Sequence, residues 1–82
     1  MTIFLGVHEF GGPLTQEQAE DNWKRYSAAA TKMGATPKGV YFDIEHGRSW
    51  CITEADSADV VNSAHDEEHL PTKELIEVQK LT

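Results

Sequence analysis

The chain has 82 residues, of which 39% are hydrophobic and 26% are charged, and we expect a single domain over residues 1–82. No apolar run approaches the roughly 20 residues that a membrane-spanning helix needs, so a membrane protein is excluded at this stage. The 14 acidic and 7 basic residues give a net charge of −7. This charge disfavours nucleic acid as a partner, because phosphate binding requires a basic patch.

The cellular compartment is indicated by the N-terminus and by the cysteine content. The stretch from Met1 to His8 has no basic residue ahead of its short apolar part, so we expect no signal peptide. Cys51 is the single cysteine and has no partner for an intramolecular disulfide. Both features predict a cytoplasmic protein.

A first strand is predicted from Thr2 to Phe10, because apolar residues alternate along it on two faces. The two faces carry Ile3, Leu5 and Val7 on one side, and Phe4, His8 and Phe10 on the other. Both faces are therefore partly apolar, and a shift of one residue in register would exchange them.

A first helix is predicted to begin at Thr15, which forms a capping-box pattern with Gln18, and to run to about Met33. Gly34 is suited to the C-terminal cap, and Pro37 prevents the helix from continuing. Its core side is predicted from helical spacing to carry Ala19, Trp23, Tyr26, Ala30 and Met33.

The second half of the chain predicts two strands, a helix and a last strand. Alternation indicates strands at Val40–Glu45 and Ser49–Ala55, joined by a turn at His46–Arg48. Ser57 is predicted to cap a helix from about Ala58 to Glu68. Three residues should form the core side of that helix, namely Val60, Val61 and Ala64. Pro71 closes this segment, and Leu75–Leu81 is predicted to be the last strand.

The order β-α-β-β-α-β predicts an α+β, ferredoxin-like fold, in which both helices cover one face of a four-stranded antiparallel sheet. We expect the uncovered face to carry Phe4, Phe10, Tyr41 and Trp50. Exposed aromatic residues favour a homodimer formed face to face, with a ligand cavity as the alternative.

The stretch Ser63–His69, SAHDEEH, places two histidines four residues apart. On a helix His65 and His69 would share one face, so that both rings reach one ion. The spacing places His65 beside the predicted core stripe. Two alternatives stay open: both rings are exposed on an acidic surface, or His69 belongs to the cap that precedes Pro71.

Two further residues extend this candidate metal site. His8 lies within a strand, where imidazole is uncommon unless it is paired or ligates a metal. Cys51 lies in the middle of a strand, where the alternative is a small buried apolar residue. Thiolate and imidazole donors together suit nickel, zinc or copper better than magnesium or calcium. The predicted metal site is therefore His8, Cys51, His65 and His69, with nickel as the first candidate ion.

Several segments together resemble a small bacterial family of single ferredoxin-like domains of unknown function, which includes a dimeric nickel-binding protein. The resemblance is carried by Val7-His8, Leu14–Gln18, Cys51–Ala55, Ser57-Ala58, Ala64-His65, Pro71 and Ile76–Val78. The resemblance implies the predicted fold and a dimer. His8 and His65 correspond to histidines of the nickel-binding member, and Cys51 corresponds to the cysteine that opens the third-strand motif of the family. His69 does not match the family pattern, in which glycine is common at that position. The second helix-end histidine of the nickel-binding member corresponds to Leu70.

Two other functions are compatible with the sequence. In a dimeric α+β barrel enzyme, the open sheet face would form a cavity in which His8 or Tyr41 handles protons. A non-catalytic domain would use the same face for self-association or a protein partner. Nucleophilic catalysis has little support, because the sequence has no Gly-x-Ser-x-Gly motif, no cysteine paired locally with a histidine and no glycine-rich phosphate loop.

Overall fold

The computed structural model describes residues 1–82, and its elements follow the predicted order. The strands are β1 (Thr2–Glu9), β2 (Thr36–Asp43), β3 (Arg48–Ala55) and β4 (Glu74–Val78), and the helices are α1 (Gln16–Lys32) and α2 (Ala58–Glu67). All strand pairs are antiparallel, in the sheet order β2-β3-β1-β4, and both helices lie on one face. The ferredoxin-like fold is therefore confirmed. Neither helix has the length and apolar character needed to cross a membrane.

The capping box that predicted α1 is present. The Gln18 N–H donates to the Thr15 hydroxyl at 3.0 Å, and the Thr15 N–H donates to the Gln18 side-chain carbonyl at 2.9 Å. These bonds satisfy two donors that a helix N-terminus leaves free. Gly34 follows the helix with φ +87°, the left-handed conformation that glycine adopts without a steric penalty.

Two strands, β2 and β4, differ from the predicted bounds by more than one residue. β2 begins at Thr36 and ends at Asp43, so Glu45 lies in the turn rather than in the strand. Pro37 is tolerated because β2 is an edge strand and its register with β3 shifts between Pro37 and Gly39, where no continuous ladder has to be kept. β4 ends at Val78, three residues before the predicted end.

The face assignment of β1 corrects one expectation. Phe4 was expected on the open face, but its side chain is only 5% exposed and belongs to the core beneath the helices. Phe10 follows the end of β1 and stacks on Phe42, with ring centroids 6.3 Å apart. Both expectations of an open-face position were wrong, because Phe4, Gly6 and His8 form the helix-facing set of β1.

The open face carries the other β1 set. Tyr41 and Trp50 lie there as a cross-strand pair, as expected, and the Tyr41 side chain is 75% exposed. The register adds six aliphatic residues to this face, namely Ile3, Leu5, Val7, Ile52, Ile76 and Val78. The open face is therefore largely apolar, and it contains no histidine.

Candidate metal centre

Three elements bring one donor side chain each to a single point in the interior. His8 comes from β1, Cys51 from β3 and His65 from α2, and their possible ligand atoms all lie within 4.8 Å of one another. The Cys51 Sγ atom is 3.2 Å from Nε2 of His8 and 3.6 Å from Nε2 of His65. The three side chains are buried, and we call them the His-Cys-His cluster.

The register of β1 and β3 makes room for this cluster. Gly6 lies directly opposite Cys51, and His8 lies opposite Ser49, so the His8 ring extends over the position where a side chain of residue 6 would stand. A Cβ atom on Gly6 would lie 2.8 Å from Cys51 Sγ and 2.9 Å from His8 Nε2. Both distances are below ordinary van der Waals contact, so the space between the two donors requires glycine at position 6.

The core side of α2 differs from the predicted one. The buried residues are Val61, Ala64 and His65, whereas Val60 is only partly buried. This i, i+3, i+4 set shifts the stripe toward His65. His65 is consequently 2% exposed and lies inside the core, rather than beside it as predicted.

Backbone hydrogen bonds fix the orientation of both imidazoles. Nδ1 of His8 lies 2.8 Å from the carbonyl oxygen of Pro71, and Nδ1 of His65 lies 2.8 Å from that of Val61. A carbonyl oxygen only accepts, so each Nδ1 carries the proton and donates. In the neutral rings each Nε2 therefore presents a lone pair toward Cys51. Metal-binding histidines are commonly held by such hydrogen bonds from the nitrogen that does not bind the metal.

Burial keeps the cluster uncharged. It lowers the pKa of His65 to about 4, with a further contribution from His8, and it lowers the pKa of His8 as well. Burial raises the pKa of the Cys51 thiol to about 11. At neutral pH both imidazoles are thus free to bind a metal, while the thiol must lose its proton to do so.

The two nitrogen–sulfur distances in the cluster match those of donors that share an ion. With metal–sulfur and metal–nitrogen bonds of about 2.3 and 2.05 Å, an N–M–S angle of 90° gives an N···S distance of about 3.1 Å, and a tetrahedral angle gives about 3.6 Å. The two N···S distances in the cluster, 3.2 and 3.6 Å, lie within this interval. Two imidazoles and one thiolate are a donor set for nickel, zinc or copper.

Tyr26 supports the cluster from α1, a role that the sequence analysis did not identify. Its ring stacks on His65 with centroids 4.0 Å apart and planes inclined by 19°. Its phenol is hydrogen-bonded to the hydroxyl of Thr53, which is fully buried on β3. The helical spacing placed Tyr26 on the core side of α1, but spacing within one helix does not show which ring of another element it meets.

His69 is not brought to the cluster. α2 ends at Glu67, and His69 follows with φ +56° and an exposed side chain. The His69 N–H donates to the carbonyl oxygen of Asp66, and the Leu70 N–H donates to that of His65. This pair of bonds is the Schellman pattern that ends many helices. His65 and His69 therefore do not share a helical face, and the alternative of a cap position applies to His69.

A small pocket leads from the cluster to the surface. The cluster and Ser49 lie at its buried end. The walls are formed mainly by apolar, partly exposed residues, together with Tyr26 and the polar Asn22 of α1; the apolar ones are Phe10, Trp23, Val40, Phe42 and Leu70. The pocket lies between the sheet and α1. It is therefore on the opposite side of the sheet from the open face.

The structure does not place His8 in the cavity that the enzyme hypothesis requires. That hypothesis placed His8 or Tyr41 in a cavity above the open face, whereas His8 points to the helix-covered side. A depression on the open face is lined by aliphatic residues, by Tyr41 and Glu54, and by Lys38, Gln79 and Lys80. Of the two proposed proton carriers, this face keeps only Tyr41.

The fold and the cluster together define a small ferredoxin-like protein with a candidate interior metal site. The model of the family described as "Nickel responsive protein SCO4226-like" matches residues 4–78. The chain therefore belongs to the SCO4226-like nickel responsive protein family, which confirms the resemblance seen in the sequence.

A solved structure of the same fold is similar over almost the whole chain. It is the crystal structure of SCO4226 from Streptomyces coelicolor A3(2), with a TM-score of 0.87 and 21% sequence identity, and the alignment covers 98% of this chain and 99% of the other. At this identity the similarity supports the fold. Among curated proteins, no sequence matches this chain.

Proposed function

We propose that this chain binds a transition-metal ion, with nickel as the first candidate, and that the ligands are Nε2 of His8, Sγ of Cys51 and Nε2 of His65. The observation that carries this proposal is the meeting of these three donors within 4.8 Å in the interior. The family description supports nickel among the ions that this donor set accepts. Zinc and copper are the competing ions, because they accept the same donors.

The preformed geometry supports binding rather than simple core packing. A buried cysteine packs equally well against aliphatic neighbours, whereas here two imidazole lone pairs point at it and each ring is held by a carbonyl oxygen. Two of the three donor pairs therefore already stand at the distances that a shared ion requires. All three donors belong to one chain, so the proposed site does not depend on a second copy.

The test is native mass spectrometry of chelator-treated protein after adding nickel, zinc or copper in turn. We expect one equivalent of nickel per chain. The variants His8→Ala, Cys51→Ala and His65→Ala should each lose this binding, since each removes one of three protein ligands.

Matched controls are available in the two histidines outside the cluster. His46 is exposed in the turn after β2, where it contacts Asp43, and His69 is exposed beyond α2. His46→Ala and His69→Ala should keep nickel at the original stoichiometry. Binding that survives in the three cluster variants but is lost in a control would refute the assigned ligands.

We also propose that the chain forms a homodimer through its open face. Eight apolar or aromatic side chains lie on this face, and Tyr41 among them is 75% exposed, an arrangement that favours burial against a second copy. Ile52→Lys, at the centre of the face, should give a monomer in the same mass spectra. The matched control is Lys24→Ala on the outer side of α1, which should leave the dimer unchanged.

The proposed compartment is the cytoplasm. Cys51 is a free thiol in the interior, and free thiols are kept reduced there. Fractionation of cells that express the protein tests this point, and recovery in a secreted fraction would contradict it.

A further inference from the structure

We propose that the pocket above the His-Cys-His cluster admits a small monoanion, which occupies a coordination position that the protein leaves open. This inference rests on the metal binding proposed above and specifies the class of ligand that the site accepts. The chain supplies three donors, whereas nickel, zinc and copper ions in such sites take four or more ligands. At least one position is therefore left for a ligand from outside the chain.

The pocket gives that ligand a route to the open position. Its buried end is formed by the three donor residues, and its walls include Trp23, Phe42 and Leu70, each of which is only partly buried. The cavity thus reaches from the cluster to partly exposed side chains. In a closed structural site the fourth donor would be a protein side chain, and no further histidine, cysteine or carboxylate lines the pocket.

The size of the pocket limits the ligand. The cavity measures about 20 Å³, which exceeds the roughly 10–15 Å³ that one water molecule needs but leaves no room for a large molecule. A ligand of one to three non-hydrogen atoms fits at the buried end. Aromatic walls on both sides, Trp23 and Phe42, exclude broader groups.

The charge of the site favours an anion. A divalent ion bound by one thiolate and two neutral imidazoles carries a net charge of +1. Neither Asp nor Glu lines the pocket, so no protein carboxylate balances this charge in surroundings that are mostly apolar. An unbalanced buried charge is costly, and a monoanion at the open position neutralises it.

The experiment is a titration of nickel-loaded protein with azide, followed by ultraviolet–visible absorption. The thiolate-to-nickel charge-transfer band reports that the ion is bound through Cys51. We expect this band to shift, and an azide-to-nickel band to grow, with saturation at one azide per nickel.

Two valine-to-phenylalanine variants distinguish the effect of filling the pocket from the effect of a larger side chain elsewhere on the sheet. Val40 lines the pocket, whereas Val78 lies on the open face. Val40→Phe fills the pocket and should weaken azide binding at least tenfold, with nickel content checked by native mass spectrometry. Val78→Phe should bind azide as the unmodified protein does.

Each outcome decides the question. A thiolate band that azide leaves unchanged shows a bound ion without an open position, which overturns this inference and leaves the proposed function standing. Absence of the band overturns the proposed nickel site with its Cys51 ligand, and this inference with it. Equal azide affinity in Val40→Phe and Val78→Phe overturns the assignment to the pocket.

A further pocket variant, Phe42→Ala, tests the inference if Val40→Phe does not fold. Phe42→Ala removes one aromatic wall, and it should allow benzoate to shift the thiolate band, whereas the unmodified protein should respond to azide alone. Exclusion of benzoate from Phe42→Ala, or its binding to the unmodified protein, would overturn the size limit on which the inference depends.

Discussion

The imidazole of His65 lies flat against the phenol ring of Tyr26, with ring centroids 4.0 Å apart. This contact joins α1 to the candidate metal ligand on α2, while the phenol of Tyr26 reaches Thr53 on β3. The stacking thus holds the ring of His65 in place together with its hydrogen bond to the carbonyl oxygen of Val61.

The hydrogen bond of Tyr26 can be removed without removing the stacking. Tyr26→Phe should lower the free energy of unfolding by about 1–2 kcal/mol, because the buried Thr53 hydroxyl loses its partner, and should keep nickel binding. Urea denaturation measures the change. The control is Tyr41→Phe, where the hydroxyl belongs to an exposed ring and the effect should stay within about 0.5 kcal/mol. An equal loss in both variants would contradict a structural role for the Tyr26–Thr53 bond.

Acid should destabilise the metal-free protein over a defined interval. The pKa of His65 is about 4 in the folded chain, below its ordinary value of 6.5. Between these values the unfolded chain binds a proton that the folded chain does not, so the free energy of unfolding falls as the pH decreases through this interval. The loss from His65 should reach about 3 kcal/mol, and the lowered pKa of His8 acts in the same direction.

Denaturation of chelator-treated protein at about pH 7 and about pH 4.5 measures this acid effect. His65→Gln should reduce the difference between the two conditions. His69→Gln should leave it unchanged, because His69 is exposed and lies outside the cluster. The same pH difference in both variants would contradict the assignment to His65.

Nickel binding should release one proton per ion. The pKa of the Cys51 thiol is about 11 without metal, so the thiol is protonated at neutral pH, whereas both histidines are already neutral. Affinity should therefore rise with pH, about tenfold per unit, until the free thiol itself ionises. Calorimetry in buffers of different ionisation enthalpy counts the proton. Cys51→Ala should release none, and proton release that persists in this variant would show that the proton comes from another group.

A methyl group at position 6 should disturb the cluster. Gly6→Ala places Cβ 2.8 Å from Cys51 Sγ and 2.9 Å from His8 Nε2, so one donor must move. We expect a loss of about 1–3 kcal/mol in stability from overpacking, together with weaker nickel binding. Gly39→Ala is the matched control, because that strand glycine has nothing within 4 Å of an added Cβ. Nickel affinity that is the same in both variants would show that the space beside Gly6 is not needed.

Replacing His69, in the cap that follows α2, should stabilise the fold without affecting nickel binding. His69 has φ +56°, a conformation that costs a residue with a side chain about 1–2 kcal/mol and glycine very little. Part of this gain is offset by the greater freedom of glycine in the unfolded chain, so His69→Gly should raise stability by about 0.5–1 kcal/mol. Thermal unfolding measures the gain and a nickel titration checks the site. Loss of nickel would indicate that His69 is a ligand after all.

Local patterns were sufficient for the order of the elements. The Thr15–Gln18 capping box, Gly34 and the alternation in β3 each rest on neighbours within a few residues, and each corresponds to the structure. The face of β1 was not predictable in this way. Both of its faces are apolar, so alternation separates Phe4 from Ile3 but does not show which set the helices cover.

The candidate site shows the same division. The sequence by itself determined the residue types, with His8, Cys51 and His65 as possible donors in a ferredoxin-like fold. Their meeting depends on the β1–β3 register, on the missing side chain of Gly6 and on the packing of α2, which are contacts between residues far apart in the chain. His69 lies apart from the cluster because the Schellman motif ends α2 before it. Two histidines four residues apart share a face only while the helix continues.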